Sequence, residues 1–206
     1  MMSSITRLGA YAGIATLAVQ TPAFAHHVMG GTLPETFPQG MLSGLGHPVI
    51  GVDHLAAIIG VGILAALARR GVGPVLAFSV AMIAGVGLHL AKVDLPVSEL
   101  LVGLSTIAIG GLVILRQSMR PAVAASLFAI AGLFHGYALG ESIVGAEPAP
   151  LIAYLAGLLI IQTAIACAAY ALLMRVQARS MAMTIAGIVV VLAGGMTAAA
   201  ATGLVG

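Results

Sequence analysis

Charged residues are scarce in this chain, and tryptophan is absent. Only 7% of the 206 residues are Asp, Glu, Lys or Arg, whereas 61% are hydrophobic, and the mean hydropathy is +1.16. A chain with so few charges cannot cover a water-facing surface. A formal net charge of only +2 leaves no basic face for phosphate groups, which excludes nucleic acid as a partner. The composition therefore predicts a protein embedded in the lipid bilayer.

Cysteine is almost absent as well. Cys167 is the single cysteine, so no intrachain disulfide is available, and its apolar surroundings predict a small packed side chain. The ten methionines are scattered along the sequence. A cluster of soft sulfur ligands for Cu(I) is therefore not indicated.

The first 25 residues have the pattern of a secretory signal peptide. Arg7 supplies a basic start, residues 8–19 are apolar, and Ala23-Phe24-Ala25 matches a cleavage site of small residues. An uncleaved signal anchor is the alternative. We therefore expect a signal peptide over 1–25 and one transmembrane domain over 26–206.

Six further apolar stretches have about the 20 residues that a helix needs to cross a bilayer. They cover residues 46–68, 72–90, 97–115, 121–140, 150–174 and 181–204. Alternate loops carry the arginines, namely Arg69, Arg70, Arg116, Arg120, Arg175 and Arg179. The positive-inside rule assigns these loops to the cytoplasm. The prediction is an all-α bundle of six transmembrane helices, with both mature termini in the periplasm.

Two imidazoles and one carboxylate lie close together at the start of the first span. The run is Gly46-His47-Pro48-Val49-Ile50-Gly51-Val52-Asp53-His54. Because proline is favoured at the first helical position, we expect His47 to cap the helix and Pro48 to begin it. His47 and His54 would then share a face about 10 Å apart. They would be successive cation sites, unless unwinding near Gly51 brings them together.

A second polar cluster lies at the outer end of the fourth span, in the run Phe134-His135-Gly136-Tyr137-Ala138-Leu139-Gly140-Glu141. The topology places His135 about 9 Å below the outer end of its helix, and His54 at a similar depth on a helix of opposite direction. We therefore predict that the two clusters meet.

Small residues on the fourth helix predict a closely packed neighbour. Gly132, Gly136 and Gly140 recur at a spacing of four, which lets another backbone approach. We expect this neighbour to be the first helix. Glu99 and His89 would lie at the same outer level, so the sequence predicts a polar vestibule in the outer part of the bundle.

Imidazole and carboxylate ligands together suit divalent ions such as Ni²⁺, Co²⁺ or Zn²⁺. Ionisable side chains inside a membrane are costly and are candidates for function. The candidate metal ligands are His47, Asp53, His54, Glu99, His135 and Glu141. Asp53 would either bind the ion or orient an imidazole as its acceptor.

Structural roles remain open for these candidates. A helix cap would explain His47, and a hydrogen-bonded pair between helices would explain Asp53 and His54. A hydrogen bond across a helix interface would explain His135. Solvated helix ends would explain Glu141 and Glu99. Towards the inner side, the obvious polar side chains are Ser105, Thr106, Gln162 and Thr163.

The runs from His47 to His54 and from Phe134 to Glu141 resemble those of the HupE/UreJ family of nickel and cobalt permeases, and the resemblance covers the mature chain. It implies import of Ni²⁺ or Co²⁺ across the bacterial inner membrane, without an ATPase domain or a permanently bound cofactor. It also implies a role for the six candidate ligands and a link to hydrogenase, urease or cobalamin pathways. Many family members have a second histidine where this chain has Leu139, a difference that bears on metal preference.

Two other classes of function remain alternatives. Two histidines and an aspartate can hold a catalytic zinc with an open position for water, as in a membrane-embedded hydrolase. The sequence contains no H-E-x-x-H motif, which weakens this interpretation. A metal sensor or assembly factor would bind the ion without carrying it. A homo-oligomer is compatible with each interpretation.

Overall fold

The computed structural model describes residues 32–69, 71–175 and 180–204, so the predicted signal peptide over 1–25 lies outside the described residues. Within these ranges the chain is all-α, as predicted. The helices are α1 (Phe37–Ile50), α2 (Val52–Ala68), α3 (Gly73–Leu90), α4 (Ser98–Ile114), α5 (Pro121–Gly140), a 3-10 turn (Glu141–Ile143), α6 (Pro148–Arg175) and α7 (Ser180–Ala201).

The first predicted span is a bent pair of helices, α1 and α2, and it begins earlier than the sequence suggested. Helix α1 starts at Phe37, where Thr36 and Gln39 form a reciprocal capping box. The prediction that His47 caps the helix and Pro48 begins it is wrong, because both residues lie inside α1. Polar and small residues before position 46 lower the hydropathy there, which hid the start of the helix.

The bend between α1 and α2 measures 79°. Pro48 has no N–H to donate, so the helical hydrogen-bond ladder is weakened just before α1 ends. Gly51 then takes an extended conformation, with φ −70° and ψ 101°, and α2 begins at the next residue. The break lies between His47 and the pair Asp53 and His54, so it divides the first polar motif into two halves.

The protein is a multi-pass membrane protein. Four helices of the described residues are long and apolar enough to cross a bilayer, namely α3, α5 with its 3-10 turn, α6 and α7, and the bent pair makes a fifth if it is counted as one broken span. The sixth predicted span corresponds to α4, whose 17 residues make a shorter apolar helix about 25 Å long. Its membrane crossing stays a prediction.

The glycine stripe on α5 packs against α3. Carbon atoms added at Gly132 and Gly136 would collide with the backbone oxygens of Phe78 and Met82 respectively, and one added at Gly140 would lie 2.7 Å from the Cβ of His89. The expectation that the first helix is this neighbour is therefore wrong. A small-residue stripe predicts a close neighbour but does not identify it. Later residues of α5 contact later residues of α3, so the two helices run parallel.

Helix α2 occupies the centre of the bundle. Twelve of its 17 residues are buried, and it contacts all six other helices. A helix that is apolar and buried on nearly every side belongs to the interior. The outer helices instead expose large apolar side chains to lipid, and Val80, Ile130, Ile152 and Leu192 are each more than half exposed. The polar residues at the start of α2 are thus enclosed by protein.

Candidate functional site

Two histidines from different helices meet inside the bundle. The Nδ1 atoms of His54 on α2 and His135 on α5 lie 2.8 Å apart. Both side chains are buried, and the rings meet edge to face with centroids 5.0 Å apart. The predicted meeting of the two sequence clusters is confirmed at these residues. We refer to His54 and His135 as the imidazole pair.

The second ring nitrogen of His135 faces two hydroxyl groups on α4. Nε2 lies 3.3 Å from both the Ser105 and Thr106 hydroxyl oxygens. Each hydroxyl also donates a 2.9 Å bond to the carbonyl of Val102, which leaves its oxygen lone pairs for the histidine. This network favours a proton on Nε2 of His135, so that Nδ1 accepts from His54. Ser105 and Thr106, predicted as inner polar residues, therefore contact the imidazole pair itself.

Gly51 provides the space for the His54 ring. A carbon atom added at Gly51 would lie 2.8 Å from Cδ2 of His54. The backbone angle φ of −70° is available to any residue, so glycine is needed here for room and not for conformation. The break in the first span and the position of the imidazole are therefore linked through one residue.

Asp53 holds the start of α2. Its Oδ1 accepts a 2.8 Å bond from the backbone N–H of His54, and its Oδ2 accepts a 3.1 Å bond from the Thr197 hydroxyl on α7. A carboxylate in the first turn is also stabilised by the positive end of the helix dipole. Asp53 thus fixes the backbone of His54 and ties α2 to α7. Thr197 was not identified from the sequence, because a threonine in an apolar helix gives no distinctive signal.

His47 belongs to a separate polar cluster. Its Nδ1 lies 3.0 Å from the Ser142 hydroxyl and 3.4 Å from that of Tyr154. Ser142 and Tyr154 also bond the carbonyl of Leu139, at 3.0 and 2.8 Å. The sequence did not single out Ser142 or Tyr154. A tyrosine within an apolar helix was the available signal, since a buried phenol needs a partner.

The two glutamates lie away from the imidazole pair. Glu99 in the first turn of α4 and Glu141 at the end of α5 are both exposed. Leu139 is fully buried. Among the residues that the structure describes, no three His, Cys, Asp or Glu side chains converge in a group able to hold a metal ion. The candidates are therefore distributed as the imidazole pair with Asp53, the His47 cluster and two exposed carboxylates.

The spacing of the imidazole pair is close to that of two ligands on one ion. Nitrogens about 2.0–2.1 Å from a metal ion, at right angles to each other, are about 2.9 Å apart. The observed separation of 2.8 Å is close to this value, but the two Nδ1 atoms point at each other in their hydrogen bond, so both rings must turn to bind one ion. An ion would replace the proton that the two nitrogens share, because imidazole binds metals in its unprotonated form.

Comparisons with known proteins bear on the family. A family model described as HupE / UreJ protein matches residues 14–198. Protein HupE from Rhizobium leguminosarum bv. viciae is 34% identical over 125 residues, which is 60% of this chain and 63% of that protein. The aligned part therefore spans less than two thirds of the length of this relative. No solved structure matches the chain. Because the family match extends over most of its residues, the chain belongs to the HupE/UreJ family.

Proposed function

We propose that this protein imports a divalent transition metal ion, nickel first and cobalt next, across the bacterial inner membrane as a secondary permease. Membership of the family indicates a role related to nickel and cobalt transport. The observation that carries the proposal is the imidazole pair. Two buried histidines on different helices place two nitrogens 2.8 Å apart within an apolar bundle.

A pair of imidazoles gives moderate affinity. Two protein ligands leave the other positions of the ion to water or to neighbouring hydroxyls, so the ion stays exchangeable. A cage with many strong ligands would trap it. Because imidazole suits nickel, cobalt and zinc alike, the preference for nickel rests on the family and not on the ligand type.

The outer residues form the entry to this site. Glu99 and Glu141 are exposed near the ends of α4 and α5 that we assign to the periplasm, where carboxylates attract cations. His47 contacts Ser142, the residue that follows Glu141, and belongs to the same span as His54. The ion would pass from the carboxylates to His47 and then to His54 and His135. Asp53 would position His54 and offset the charge of the ion.

The direction of metal transport follows from the proposed topology. The helix ends beside Arg69, Arg116 and Arg175 face the cytoplasm by the positive-inside rule, and both termini face the periplasm. Import would be driven by the metal gradient and by the membrane potential, which favours inward movement of a cation.

The proposal is tested by flux into liposomes. Purified protein is reconstituted into vesicles that contain a metal-sensitive dye, and Ni²⁺, Co²⁺, Zn²⁺ and Mn²⁺ are added outside. We expect influx of nickel and cobalt, and a loss of about tenfold or more in His54→Ala and His135→Ala. Gln117→Ala is the control, because Gln117 is exposed in the loop after α4.

Two results would contradict different parts of the proposal. The absence of influx above that of empty liposomes would refute the permease. Equal influx in the His54 and His135 variants would leave transport intact and remove the imidazole pair as its site.

A further inference from the structure

A third group of polar side chains, distinct from the imidazole pair and from the His47 cluster, lies between α3 and α6. The amide nitrogen of Gln162 donates a 3.1 Å bond to the carbonyl oxygen of Ser79, and the Thr163 hydroxyl donates a 3.0 Å bond to the Ser79 hydroxyl. Gln162 and Ser79 are fully buried, and Thr163 is partly buried. We refer to Ser79, Gln162 and Thr163 as the amide cluster.

The carbonyl oxygen of Gln162 is buried without a hydrogen-bond partner. The bond from Nε2 to Ser79 fixes the orientation of the amide, so Oε1 is the atom left over. An unpaired buried carbonyl is costly, and such groups in proteins usually bind a water molecule or an ion. The bond from Nε2 is sufficient to join α3 and α6, but it leaves Oε1 without a partner. The oxygen therefore indicates a ligand that enters the cluster.

The amide cluster lies close to the imidazole pair. Phe78 packs its ring on His135, with centroids 5.9 Å apart, and Ser79 is the next residue of α3. Gly132 of α5 lies against the backbone of Phe78, whereas His135 is nearly one turn further along α5. The cluster is thus displaced from the pair towards the start of α5, the end that carries Arg116 and Arg120 in the preceding loop.

We propose that Gln162 Oε1, with the hydroxyl oxygens of Ser79 and Thr163, forms a second, weaker cation site through which the ion leaves the imidazole pair towards the arginine-bearing face. This inference rests on the proposed transport function. Neutral oxygen ligands bind Ni²⁺ and Co²⁺ more weakly than imidazole does, and a partly hydrated ion would be held only briefly. An ion that moves from a site of higher affinity to one of lower affinity near the inner side is released there more readily.

The inference predicts that Gln162 affects passage more than binding. Gln162→Leu removes the oxygen and keeps a side chain of similar size. We expect nickel flux into liposomes to fall about tenfold. The nickel affinity measured by titration calorimetry should stay within about twofold of wild type. Gln117→Leu makes the same change at an exposed loop position and serves as the control. Thermal unfolding of the purified variants checks that the fold is retained.

A second variant tests for a cation site without relying on flux. Gln162→Glu keeps the shape of the side chain but adds a negative charge, so the weak site becomes a strong one. We expect this variant to bind one more nickel ion per chain than wild type and to transport more slowly. A role confined to helix packing would change neither the number of bound ions nor their release.

The outcomes separate this inference from the proposed function. Flux of Gln162→Leu within about twofold of wild type, or no additional ion on Gln162→Glu, would overturn the second site while transport by the wild-type protein stands. Absence of flux in the wild-type protein would refute the permease itself and with it the need for a release site.

Discussion

Replacing Gly51 by alanine is expected to weaken metal binding without removing any ligand. The added carbon would lie 2.8 Å from Cδ2 of His54, whereas ordinary contacts are 3.4–4 Å. The imidazole must therefore move, and restoring an ordinary contact requires about 0.6 Å, the difference between 3.4 and 2.8 Å. Metal–ligand distances vary by only about 0.2 Å, so the pair loses its spacing. We expect nickel affinity to fall about tenfold to a hundredfold.

The assay is competition between the purified protein and a nickel-binding dye in detergent, compared with liposome flux. Gly111→Ala is a matched control, because a carbon atom added there meets nothing within 4 Å. Alanine fits the backbone of Gly51, so the effect comes from the contact with His54 alone. Binding by Gly51→Ala within about twofold of wild type would show that the position of this ring does not determine affinity.

Further substitutions test other parts of the structure. Gly136→Ala should lower thermal stability by about 1–3 kcal/mol, whereas Gly87→Ala, which faces open space, should not; equal stabilities would contradict the close approach of α3 and α5. Tyr154→Phe removes a buried hydrogen bond and should cost about 1–2 kcal/mol in unfolding experiments, and no loss would show that the hydroxyl network is not stabilising. Leu139→His adds an imidazole one turn from His135 and should change the ranking of transported ions in the dye assay; an unchanged ranking would make this position irrelevant to selectivity. Cys167→Ala should retain wild-type flux, since the thiol is a packed side chain, and a large loss would reveal a role in the passage of the ion.

Composition alone was sufficient to predict a helical membrane protein. The meeting of His54 and His135 was also predicted, but from a straight first helix that begins near His47, whereas His54 lies at the start of α2 after the break. Helix starts were harder to predict. The capping box at Thr36 lies in a segment of mixed polarity, so the predicted span began nine residues too late, at 46 instead of Phe37. Pro48 was placed at the start of a helix that it in fact helps to end.

The partners of the site residues could not be read from the sequence. The glycines of α5 indicate that a neighbour is close, but the identity of α3 depends on how all helices pack together. Thr197 and Ser142 have ordinary side chains whose importance comes only from the residue opposite them. The sequence indicated only that Gln162 is polar. Its Oε1 is unpaired because Nε2 of the same amide donates to the carbonyl oxygen of Ser79, and this contact depends on the packing of α3 against α6.

The bend at Gly51 also relates the protein to the thickness of the surrounding lipid. Helices α1 and α2 together run from residue 37 to residue 68, about 48 Å if straight, against a hydrocarbon core of about 30 Å. The excess length is taken up at the 79° joint as well as by tilt. A straight helix would place His47 and His54 on one face, whereas the joint directs them into two different polar clusters. The same bend that shortens the helix pair for the bilayer thus separates the two histidines.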